Sequence, residues 1–116
     1  MPRVLEIRVG PAGDALDRFE AAWNRAAEGR APRTLHLLTL ETLPLLLKTL
    51  SPARFELLRV LREAGSLSIY QLAKRLGRDY KNVHTDVTQL VVLGLITKVD
   101  KGIAVPWDLL RAELVL

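Results

Sequence analysis

Cysteine is missing from this chain of 116 residues, and histidine occurs only as His36 and His84. Without cysteine neither a disulfide framework nor a thiolate metal site can form, and two histidines so far apart offer no metal-ligand spacing. Also lacking is an apolar run long enough to span a bilayer. The Leu-rich stretch 35–50 is interrupted by His36, Glu41, Pro44 and Lys48, well short of about 20 apolar residues. No signal peptide, linker, internal repeat or low-complexity tract is visible. These absences lead to the expectation of a soluble, cytoplasmic protein with no metal, no cofactor and no membrane partner.

What the chain does have is enough apolar material for a core: 49% of its residues are hydrophobic. Its length suits one domain, or one domain with a dimerisation extension. Charge is unevenly placed. Residues 51–102 hold nine Lys or Arg against five Asp or Glu, while the remainder balances to zero, so the whole excess of +4 sits on one segment. That asymmetry favours an anionic partner for this segment, and phosphate attraction supplies much of sequence-independent DNA affinity.

Inside the basic segment, SLSIYQLAKRLGRDYKNVHTDVTQLVVLGLITKVDKG (66–102) reads as helix, tight turn, helix and two-stranded hairpin. Ser68 is suited to cap the first helix and Gly77 to end it in left-handed geometry. In the second helix Val83, Val87 and Leu90, with Val91 beside them, form an inward stripe, leaving Lys81, Asn82, Thr85 and Thr88 outward. Gly94 stops that helix, and Ile96 to Val105 alternate around Asp100-Lys101-Gly102, a turn triplet that favours a hairpin. This order of elements predicts a winged helix-turn-helix, in which the first helix fixes the second at the angle needed to enter a major groove.

Upstream, Arg3 to Val9 alternates as a half-buried strand ending at Gly10-Pro11. Leu16, Phe19, Trp23 and Ala26 or Ala27 recur at helical spacing over 14–27, and Gly29 to Pro32 ends that helix. Thr34 to Leu40 reads as a second strand, Thr42 to Leu50 as a short helix with Pro44 in its first turn, and Ser51-Pro52 as the start of a helix through Ala64. For residues 107–116 two readings stand: a turn of helix from Asp108, or an edge strand from the alternation of Ala112, Leu114 and Leu116. The expected class is α+β, mainly α. Its parts are an N-terminal strand-helix-strand dimerisation or partner region (1–50), the winged helix-turn-helix (51–106), and a tail packing on that domain (107–116).

Catalysis finds no support. His84 and Asp86 are two apart on a helix and project about 200° apart, so they cannot act as a pair. Ser66 and Ser68 are explained by turn and cap chemistry. The candidate contacts are instead to DNA: Lys81, Asn82, His84, Thr85 and Thr88 on the second helix, and Arg78 and Tyr80 at its entrance. Ser68 and Gln71 at the start of the supporting helix and Lys98 and Lys101 in the hairpin complete the set. For Tyr80 an inward-packed ring is an equal alternative. Phe19 and Trp23 mark either core or a protein interface.

The stretches LSPARFELLRVL, LAKRLGRDYKNVHTDV and LGLI, within 50–96, resemble a family of small MarR-like winged-helix predicted transcriptional regulators, some of them linked to toxin–antitoxin loci. Thr85 departs from the basic residue common at that position in the family. The resemblance implies double-stranded DNA as partner. The expectation is therefore a homodimeric, sequence-specific repressor. Two alternatives are an antitoxin-like protein that neutralises a toxin partner and autoregulates its operon, and a winged helix that serves only as a protein-docking scaffold.

Overall fold

A computed structural model describes residues 2–10 and 36–116. The helix expected over 14–27, with Phe19 and Trp23, lies outside the described residues. Among the described residues the chain is α+β, with four helices and five strands. They fall into two compact units: residues 2–10 and 36–46 with 109–116, and residues 47–108.

The first unit is built on a three-stranded parallel sheet. Its strands are β1 (Val4–Val9), β2 (Leu37–Leu40) and β5 (Leu109–Leu114), in the order β2-β1-β5. The period-two pattern of β1 does what it predicts: Leu5, Ile7 and Val9 are buried, while Val4, Glu6 and Arg8 on the other face are only partly covered. Register pairs Ile7 with Leu38 on one side and with Ala112 on the other. Above the polar face Arg8 donates to Glu113 at 3.3 Å, and Arg111 lies 3.7 Å from Glu6. The short helix α1 (Leu43–Thr49) begins at Thr42, whose hydroxyl accepts the Leu45 amide.

The tail readings are resolved in favour of a strand. Within residues 107–116, Trp107 and Asp108 group with the helical unit and β5 groups with β1. The parallel ladder is the reason. β5 closes the otherwise open edge of the central strand, beginning where the Leu109 amide donates to the Arg3 carbonyl.

The second unit stacks α2 (Pro52–Ala64), α3 (Ile69–Leu76) and α4 (Tyr80–Val92) with the hairpin β3 (Thr97–Val99) and β4 (Gly102–Ala104). Ser51 caps α2 through its hydroxyl and Pro52 occupies the first turn, where a missing amide hydrogen costs nothing. Leu57, Leu58 and Leu61 of α2 share one core with Leu72 and Ala73 of α3 and with Val83, Val87 and Leu90 of α4. Leu95, Ile96, Ile103 and Trp107 complete it.

Both glycine stops in the α3–α4 region are Schellman closures. At Gly77 (φ +64°) its amide donates to the Lys74 carbonyl and the Arg78 amide to the Ala73 carbonyl. At Gly94 (φ +82°) the Gly94 amide reaches Val91 and the Leu95 amide reaches Leu90.

Gly102 corrects the sequence reading. It is not a turn residue: the turn is Asp100-Lys101, and Gly102 pairs with Val99 as the first residue of β4. Its glycine identity comes from close approach instead. A Cβ there would lie 2.3 Å from the Leu67 carbonyl oxygen. That proximity exists because Leu67, just before α3, exchanges both backbone bonds with Ile103, at 3.1 and 2.8 Å.

Candidate functional site

The outward surface of α4 is assembled from its periodicity. Turning the Val83–Val87–Leu90 stripe into the core leaves Lys81, Asn82, His84, Thr85 and Thr88 exposed along the opposite face. Thr85 and Thr88 donate their hydroxyls back to the carbonyls of Lys81 (3.1 Å) and His84 (2.8 Å). This commits their hydrogens to the helix and presents their lone pairs outward, so in this rotamer they are acceptors. The donors on this face are Lys81, Asn82 and His84.

The α3–α4 turn sets where that face points. Ser68 and Gln71 form a complete capping box: the Ser68 hydroxyl accepts the Gln71 amide at 3.1 Å and the Gln71 side-chain oxygen accepts the Ser68 amide at 3.0 Å. Their first task is therefore to start α3. Arg78 likewise has a structural partner, since its Nη2 donates to Asp86 Oδ2 at 2.7 Å. The other oxygen of Asp86 accepts from Arg54 Nε at 3.1 Å. Arg54 also reaches Gln89 and the Thr49 carbonyl, so one side chain of α2 clasps α4 in its middle.

Tyr80 does not pack inward; it is 48% exposed, with its ring 5.9 Å from that of His84. Beside it lies Tyr70, 62% exposed, with the Lys74 ammonium 5.8 Å from its ring centre. Ser68, Ile69, Tyr70, Tyr80, Lys98, Val99, Gly102 and Ile103 line one open groove between the starts of α3 and α4 and the hairpin. Lys98 and Lys101 are exposed on that hairpin, with Asp100 between them.

The structure thus brings Ser68, Tyr80 and Lys98 to one groove and sets Lys81, Asn82, His84, Thr85 and Thr88 along one helix face. Arg78 and Gln71 are tied to supporting contacts. The sequence reading missed Tyr70, whose spacing of four from Lys74 was the available signal, and it missed Arg54 and Asp86 as a clasp. Among the described residues no group of three His, Asp or Glu could hold a metal ion, and no helix is long and apolar enough to cross a membrane.

Residues 49–112, more than half of the chain, match the model of the HVO_A0114 family. The matched stretch runs from the end of α1 into β5 and contains every residue of the groove and of the α4 face. No curated protein and no solved structure matches the chain.

Proposed function

The chain belongs to the HVO_A0114 family, and we propose that it is a cytoplasmic, sequence-specific double-stranded DNA-binding regulator acting as a homodimeric repressor without catalysis or cofactor. In this reading residues 51–106 are a winged helix-turn-helix, α4 enters the major groove and β3–β4 is the wing. The observation that carries it is the exposed polar face of α4, where Lys81, Asn82 and His84 stand beside the two hydroxyl acceptors Thr85 and Thr88. Base edges in a major groove offer that mixture of acceptors and donors. Lys98 and Lys101 on the hairpin suit phosphates flanking the groove, and the +4 excess on 51–102 suits a polyanion.

One observation favours a second reading, a protein-docking module of the scaffold or antitoxin kind. The groove beside α4 is lined largely by Ile69, Tyr70, Tyr80, Val99 and Ile103, a surface that a partner's apolar side chains would fill. Fluorescence anisotropy separates the two. The protein is titrated against its own upstream DNA and a scrambled duplex over a salt series, alongside the Lys81→Ala/Asn82→Ala variant. Preference for the upstream DNA that the variant loses supports the regulator; equal or absent binding to both duplexes sinks it and leaves the docking module.

A further inference from the structure

We infer that β5 is the dimer seam: it pairs antiparallel with β5 of a second copy about a two-fold axis at Ala112, joining two three-stranded sheets into one of six strands. This deepens the homodimer part of the proposed function and is independent of DNA. It starts from the parity of the β5 backbone. Leu109 donates its amide to Arg3 and Val115 donates to Val9, so the odd-numbered residues of β5 turn their amides and carbonyls toward β1. Leu110, Ala112 and Leu114 therefore turn theirs to the outer edge, which pairs with no strand among the described residues and is a template of the kind that recruits another strand.

The sequence of that edge, Leu110-Arg111-Ala112-Glu113-Leu114, is complementary to itself when reversed. A two-fold axis at Ala112 makes Ala112 a reciprocal hydrogen-bonded pair with the partner's Ala112, and Leu110 with the partner's Leu114, giving about six backbone bonds. It also sets Arg111 directly opposite the partner's Glu113. An axis at Arg111 or Glu113 would face like charges, which destabilises a cross-strand pair. An axis at Leu110 would bring only half of the strand into register.

Side chains on both faces agree with the Ala112 register. On the polar face Glu6 lies beside Arg111 and Arg8 beside Glu113 within one copy. Pairing extends each couple into a row of alternating sign: Glu6, Arg111, the partner's Glu113, the partner's Arg8. On the other face Leu114, 53% exposed, meets the partner's Leu110 and continues the apolar surface of Leu5, Ile7 and Val9. The opposite edge, β2, has four residues and no charge to set a register.

Sedimentation of the full chain tests this without DNA. Wild type should run at twice its 13.0 kDa mass. Arg111→Glu and Glu113→Arg should each raise the dimer dissociation constant about tenfold or more by facing like charges. An equimolar mixture of the two variants should restore the dimer, because each supplies the charge that the other now lacks. Ala112→Pro should give a monomer with an unchanged circular dichroism spectrum, since its amide points away from β1 and proline is tolerated on such an edge. A wild-type dimer that all three variants leave intact overturns this seam and spares the homodimer, whereas a monomeric wild type overturns both. Monomeric variants that do not recombine also overturn the seam.

Discussion

Arg78 and Asp86 are joined across the turn that precedes α4 by a bond of 2.7 Å, and Asp86 turns its second oxygen to Arg54 at 3.1 Å. One carboxylate thus fastens α4 both to the turn before it and to α2. Asp86 and Arg54 are each about 15% exposed, so screening by water is limited. Asp86→Ala leaves two guanidinium groups facing each other without a counter-charge. We expect a loss of about 3 kcal/mol, read from the urea midpoint at neutral pH, with Asp86→Asn losing less. An unchanged midpoint would mean that the clasp contributes nothing.

Gly102→Ala places a methyl carbon 2.3 Å from the Leu67 carbonyl oxygen, a contact that only backbone movement can relieve. The expected result is a loss of about 2 kcal/mol, together with faster amide exchange at Leu67 and Ile103, the residues bridged there. Exchange rates equal to wild type at both amides would rule out the close approach as the reason for glycine.

Trp107 donates its indole hydrogen to the Gly94 carbonyl at 2.8 Å and accepts Arg62 Nε on its own carbonyl at 2.9 Å. Trp107→Phe keeps much of the buried apolar side chain and removes the indole donor. Thermal unfolding should show a loss of about 1 kcal/mol, against about 4 kcal/mol for Trp107→Ala, which also opens a cavity. Equal losses for the two variants would show that the hydrogen bond, rather than packing, dominates.

Lys81 and Lys98 lie on different elements and are both exposed, so under the proposed regulator reading their effects on DNA affinity should be separable. Removing a phosphate contact lowers the slope of log K against log salt by about one, uniformly across sequences. We expect that result for Lys98→Ala. For Lys81→Ala we expect a loss of about 2 kcal/mol confined to the preferred duplex. Identical behaviour on scrambled DNA would assign Lys81 to phosphate instead.

Much of the helical unit could be read from the chain because its signals are local. Ser51-Pro52, Ser68, Gly77 and Gly94 each mark a helix end by the chemistry of one or two residues, and all four ends fall where those residues stand. The strands Val4–Val9 and Leu37–Leu40 also follow from their patterns. What escaped the sequence depends on distant partners. Gly102 carries the same letter whether it serves a turn or a close approach, and only the position of Leu67, 35 residues away, distinguishes them. Asp86 reads as one more polar residue on α4 until Arg54, 32 residues earlier, comes into contact. The tail admitted two states because its pairing partner, β1, lies at the other end of the sequence.

That last separation has a counterpart in time. Arg8 and Glu113 meet across 105 residues, whereas the two strands of the hairpin are joined by a two-residue turn. Local elements of the second kind close within microseconds, and a closure spanning most of the chain bears a larger entropy cost before any contact offsets it. Helices and hairpin are therefore expected to be in place while β1 still waits for β5. In that interval, rather than in the finished protein, β1 is open to the wrong strand.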